Sequence, residues 1–290
     1  MQTRYCAAAT ALLMTAAVGL AASGGAAEAA GTHHAGAKAS KSLTMKITST
    51  KKGPVLSKHR IRPGFTTFKL VHKSGGQAAL ELLRLKSGYS FKHLSRDVPK
   101  ITGESVDLKA LRRIERNVVF YGGMDVSKKV PSAKFAADVD RAGKYYVVNI
   151  FAGGHASFLA KGHHQRRSHP SADGRINAAA GNVWQSKGTL AHKGWMRTTN
   201  NANEPHFVEL DGVVDTATDQ DVADWFNNPA GPPTWMSGTS FNTEVISPGH
   251  TFYWKFSLPT GRYAIDCFFP SKVNGMPHAF MGMYKVVTLA

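Results

Sequence analysis

Two stretches of this chain repeat one plan, and that repetition limits the fold more than any other feature. In the first, GFTTFKLVHKSGGQAALELLRLKSG leads into the segment SFKHLSRDV; in the second, GWMRTTNNANEPHFVELDGVVD leads into TDQDVADWF. The copies resume with YGGMDVSKKVPSAKFAADVDRAGKYYVVNIF and MSGTSFNTEVISPGHTFYWKFSLPTGRYAIDCFF. Each ends in a glycine-led strand, at Gly143-Lys144-Tyr145 and at Gly261-Arg262-Tyr263. FTTFKLV, KYYVVNIF, TFYWKFSL, RYAIDCFF and MYKVVTL are short, rich in aromatic and β-branched residues, and bounded by Gly, Pro or Asn, which is how strands read. Several such strands per ~100 residues predict an antiparallel sandwich in each copy. Short helices are expected near residues 91–98 and 218–226, and near 108–116 in the first copy only.

The chain has 290 residues, room for two domains. Residues 1–29 read as a secretory signal: Arg4, the apolar run AAATALLMTAAVGLAA, then Ala27-Glu28-Ala29 as a small-x-small cleavage site near Ala29. No later apolar run is long enough for a transmembrane helix. Residues 30–42, mostly Gly, Ala, His and Lys, read as a flexible leader. KGHHQRRSHPSADGRINAAA, residues 161–180, reads as a linker between a domain at 43–160 and one at 181–290. The protein is expected to be exported. Its charge of +17, from 36 basic and 19 acidic residues, favours anionic contacts: wall polymers, phospholipid heads or acidic proteins. No nucleic-acid motif accompanies the basic residues, and export speaks against such a partner.

Removal of the signal also removes Cys6 and leaves Cys267 without an intramolecular partner. An unpaired cysteine in an exported protein is a buried hydrophobe, an intermolecular partner, or a reactive thiol or ligand. Cys267 opens the loop CFFPSKVNGMPHAFMGM, which also carries His278 and Met283; His206 lies upstream in NEPHFVEL. With these motifs, and with the PG-led strand segment SPGHTFYWKFSLPTGRYAIDC between them, residues 181–290 resemble a cupredoxin, the blue-copper fold. Residues 43–160 resemble the same fold more faintly.

The resemblance implies an all-β fold: two tandem cupredoxin-like Greek-key β-sandwiches with short helical insertions. It also implies one type 1 copper ion, held by His206 and His278 as imidazoles, Cys267 as thiolate and Met283 as weak axial thioether. The loop departs from small cupredoxins in placing ten residues between Cys267 and His278. Met276 and Met281 are further thioethers beside it. In the first copy the repeat sets Ala78 opposite His206, Asn149 opposite Cys267 and Ala160 opposite Met283, with His155 alone matching His278. One ligand of four makes no such site, so the first copy is expected to lack metal.

The function expected is electron transfer or copper handling outside the cytoplasm, without enzymatic activity. The electron exit implied is the ring edge of His278, towards an acidic redox partner. The other reading is a metal-free structural or interaction module on the anionic cell envelope. His33, His34, His163, His164 and His169 read as exposed polar residues of leader and linker. Asp266, next to Cys267, alternates to the opposite strand face and is a poor ligand candidate. No Ser-His-Asp signature, phosphate loop or three-copper His-x-His pattern is present.

Overall fold

The computed structural model describes residues 42–290, apart from 104, 152, 187 and 188. The expected signal and all but the last residue of the leader lie outside the described residues. The fold is all-β with helical insertions, and the repeat is visible in its strand order. One sheet has eight strands, in the order Val183–Ser186, Gly174–Ala179, Lys193–Asn200, Thr251–Ser257, Ser132–Val139, Gly64–Lys73, Leu43–Thr50 and Gly53–Leu56. Read from its centre outward, it has a strand of each copy at every step. The central pair, Thr251–Ser257 with Ser132–Val139, is antiparallel and joins the copies. Further out, Gly174–Ala179 lies parallel to Lys193–Asn200, and Leu43–Thr50 lies parallel to Gly64–Lys73.

Each copy then folds a smaller sheet over its half of the large one. The first copy supplies Arg60–Ile61, His155–Ala160, Gly143–Asn149, Ala78–Leu85 and Val118–Val126; the second supplies Met236–Asn242, Glu209–Val213, Gly261–Asp266 and Tyr284–Leu289. The chain crosses between layers after most strands, the Greek-key pattern. Residues 174–179, inside the stretch read as a linker, form a full strand of the large sheet.

Period-two burial drives these elements. In LTMKITST, Met45 and Ile47 are fully buried while Thr44 and Lys46 face out. In TFYWKFS the inward Phe252, Trp254 and Phe256 join the core. One core runs through both copies, from Met45, Phe68 and Phe135 to Trp254, Ile265 and Met283. Polar contacts cross the same seam: the Phe120 amide donates to Ser247 Oγ (2.9 Å), and the Val245 amide donates to the buried Glu81 carboxylate (2.7 Å).

Among the described residues three α-helices interrupt the strands, α1 (Phe91–Asp97), α2 (Leu108–Asn117) and α3 (Asp219–Asn227), with short 3-10 turns at Val98–Lys100 and His278–Met281. Ser90 and Thr218 start α1 and α3 with reciprocal capping boxes, and Asp107 caps α2 through the amides of Lys109 and Ala110. Helix α2 buries Ala110, Leu111 and Ile114 and turns its charged side towards the loop that follows Cys267.

Candidate metal centre

Cys267 comes directly after strand Gly261–Asp266, and His206 lies three residues before its neighbour Glu209–Val213. These strands pair Glu209 with Asp266. One step along that register sets residue 208 beside Cys267, and His206, two residues away, shares the face. The His206 backbone is held on both sides by Ile246, its N–H donating to Ile246 O and its carbonyl accepting from Ile246 N–H. No strand holds His278; the long loop does, as a closed hairpin. The Ser271 amide donates to Met276 O, Gly275 to Ser271 O, His278 to Phe269 O and Ala279 to Cys267 O. The ten intervening residues therefore fold back on themselves and return His278 to the sulfur. Gly275 permits the tip: its φ is +76°, and a Cβ there would sit 3.0 Å from Val106 Cβ.

The result is a fully buried cluster. Cys267 Sγ lies 3.6 Å from His206 Nδ1 and 3.8 Å from His278 Nδ1, and all three residues are 0% exposed. The three ligand atoms lie within 4.8 Å of one another, the only such His/Cys/carboxylate group among the described residues. An ion about 2.3 Å from sulfur and 2.05 Å from nitrogen, with ligands about 120° apart, spaces those atoms about 3.8 Å apart. The observed separations match this, so the residues fit a bound ion. Met283 is fully buried near His206, and its amide donates to His278 O (3.0 Å). Met281 is 41% exposed and Met276 half-buried, so Met283 is the thioether best enclosed. Two imidazoles, a thiol and a thioether form the donor set of a type 1 copper site.

Burial sets the protonation states. It pushes the Cys267 thiol up to about 12, against the opposing pull of backbone hydrogen bonds from Phe207 and Phe269. It pushes His206 down to about 2, aided by His278, and lowers His278 as well. Both imidazoles are therefore neutral, the form that ligates. The outer nitrogen of His278 meets Glu204: Nε2 to Oε2 is 3.1 Å, with Glu204 4% exposed. Glu204 also accepts from Ser271 Oγ and the Lys272 amide. The outer nitrogen of His206 is buried without a hydrogen-bond partner.

The first copy closes this side of the site. Arg112 Nε donates to Lys272 O (3.0 Å), and Lys272 Nζ pairs with Glu115 at 3.4 Å. A polar cavity of about 390 Å³, lined by Arg112, Glu115, Arg116, Asn203, Pro205 and Lys272 among others, opens beside Glu204. His278 consequently has no exposed ring edge. Three of the residues named from the sequence, His206, Cys267 and His278, are brought together, and Glu204 was not named. Its one signal was position, an acid two residues before His206 in NEPH.

The corresponding residues of the first copy include one imidazole and no thiol or thioether. Ala78, Asn149 and Ala160 are buried, while His155 is exposed and stacks on Phe91 at 3.6 Å. Of the linker histidines, His163 is exposed, His164 contacts Asp138 (2.8 Å) and His169 stacks on Tyr253 (4.9 Å). His33 and His34 lie outside the described residues. Asp266 faces away from the sulfur and is buried beside Glu209.

No family model and no curated protein matches the chain. Solved structures similar to it include auracyanin B, with 20% identity over 43% of this chain and 92% of that one (TM-score 0.28). A purple cupredoxin from Nitrosopumilus maritimus is 17% identical over 41% of this chain and all of its own (TM-score 0.25). A copper nitrite reductase from Nitrosomonas europaea is 12% identical over 86% and 94% respectively (TM-score 0.24). These neighbours include a nitrite reductase and a purple cupredoxin, and at such TM-scores the likeness carries no argument about function. No described helix is long and apolar enough to cross a membrane.

Proposed function

We propose that this chain is a cupredoxin-like protein holding one copper ion through His206, Cys267, His278 and Met283, and that it transfers electrons or handles copper without catalysing a reaction. In this reading residues 181–290 form the metal-bearing domain, 43–160 a metal-lacking copy and 161–180 the connection. The protein acts outside the cytoplasm after cleavage near Ala29, with an acidic redox partner or an anionic envelope surface as its contact. The observation that carries the reading is the buried convergence of Cys267 Sγ and two imidazole Nδ1 atoms at ligand spacing.

Bound copper supplies a one-electron couple. The chain supplies a dry cavity and fixed ligand positions, which keep the geometry similar in both oxidation states and exclude water. Glu204 orients the His278 ring by accepting from Nε2–H, which leaves Nδ1 with its lone pair towards the sulfur. With the His278 ring covered, electrons enter or leave through the groups around it, of which the Glu204–Lys272 contact lies nearest the polar cavity.

The test is the visible spectrum of the copper-loaded mature chain. An intense thiolate-to-copper band at one ion per chain, lost in Cys267→Ala and in His206→Ala, is expected. A colourless protein without stoichiometric metal would leave the metal-free envelope module as the function.

A further inference from the structure

The eight-stranded sheet turns one face to solvent, and that face carries an unbalanced line of charge. Lys46 pairs with Lys69, Lys69 with Lys134, and Lys134 with Lys255, each directly opposite the next on adjacent strands. All four are exposed, and none makes an ion pair among the described residues. Strands lie about 4.8 Å apart, so the row runs about 14 Å with a cation at every step. Like charges directly opposite one another are destabilising. Four in succession is an arrangement that lacks its counter-charge.

Two residues along the strands, a second row continues the pattern. Tyr253 pairs with Arg197, and Arg197 with Arg175. These three, with Phe65, His169, Ser171, Thr251 and a neighbouring alanine, line a cavity of about 410 Å³. Its walls are aromatic: His169 stacks on Tyr253 at 4.9 Å, and Phe65 meets both rings. Its polar groups are two guanidiniums, one imidazole and three hydroxyls, with no carboxylate among the lining residues. Arg197 Nε is buried without a partner. Two acids beside it are engaged elsewhere: Asp173 accepts from the Trp195 amide (2.7 Å), and Asp138, opposite Phe65 in the ladder, contacts His164 (2.8 Å).

We propose that this sheet face binds a linear phosphate polymer, with one phosphate seated between Arg175 and Arg197 and the following ones along Lys255, Lys134, Lys69 and Lys46. Guanidinium forks and hydroxyls suit the several oxygens of a phosphate, whereas the lysines act as point charges that follow a backbone. A single-file row suits a chain better than a bilayer surface. The face is shared: Lys46, Lys69 and Lys134 come from the first copy, and Lys255, Arg175 and Arg197 from the remainder. The site lies on the outer face of the large sheet, and its lining shares no residue with the metal cluster, so the inference does not depend on copper.

The probe is fluorescently labelled inorganic polyphosphate, titrated into the full mature chain by anisotropy at several salt concentrations. Lys69→Gln/Lys134→Gln is expected to weaken binding at least tenfold and to lower the salt slope by about two charges' worth. The exposed pair Lys92→Gln/Lys109→Gln, off this face, is expected to change neither. Arg197→Gln is expected to remove the preference for polyphosphate over polyglutamate of equal charge. Cys267→Ala should bind as the parent does, so a failed copper test leaves this result standing. Equal losses in the Lys69/Lys134 and Lys92/Lys109 variants would overturn the proposal. So would polyglutamate or phosphatidylglycerol vesicles binding the parent as tightly as polyphosphate, or absence of polyphosphate binding at 0.1 M salt.

Discussion

Loading the metal-free protein with copper near pH 7 is expected to expel one proton, from Cys267. Burial pushes this thiol up to about 12, so the empty site holds S–H across the neutral range. His206, pushed down to about 2, and His278, lowered from the ordinary imidazole value, carry no extra proton to release. Holding the thiolate at pH 7 against a pKa near 12 costs about 7 kcal/mol, which the sulfur–metal bond must offset. Apparent copper affinity should therefore rise about tenfold per pH unit between pH 7 and 8. Competition against a chelator of known pH dependence measures the slope, and calorimetry in buffers of different ionisation heat counts the protons. In Cys267→Ser, any residual binding by the two imidazoles should be nearly independent of pH. A flat profile in the parent protein, or a release of two protons, would refute this account of the site's protonation.

Two other outcomes follow from the surroundings of the site. Glu204→Ala removes the acceptor at His278 Nε2 and should weaken metal binding by about 10- to 100-fold while leaving the far-ultraviolet circular dichroism intact, as measured by chelator competition. Burial raises Glu115 from 4.5 to about 7, against the opposing effect of Lys272. Its folded pKa lies above its unfolded one, so its contribution to stability is complete below about pH 4.5 and is lost as pH rises through 7. Unfolding free energies from denaturant titrations should accordingly fall across that window by on the order of 1–3 kcal/mol, and Glu115→Gln should flatten that part of the curve.

The strands were legible from their aromatic and β-branched runs; FTTFKLV buries every second residue, while TFYWKFS also buries Tyr253 between Phe252 and Trp254. The helices lie where short helical segments were expected, and Ser90 and Thr218 cap two of them. The cysteine–histidine–methionine loop stood out by residue type and order, which match the donor types of a type 1 copper site. The partner of each strand was not legible. Nothing in KFAADV states that it pairs with FYWK from the other copy, because ladder bonds are made by backbone and carry no side-chain label. For the same reason nothing in the sequence shows that the fold lays Arg112 and Glu115 against Lys272. The lysine row was hidden likewise: four residues far apart in sequence become neighbours only once register is known.

The central ladder between Ser132–Val139 and Thr251–Ser257 has a bearing on how such a duplicated chain can change. Cutting the molecule in two would strip each piece of half its longest layer and present a bare row of amides and carbonyls, an invitation to self-association. The first copy is thereby kept under constraint by the second, since it furnishes the other's edge, part of its core and the cover beside its histidine–cysteine cluster.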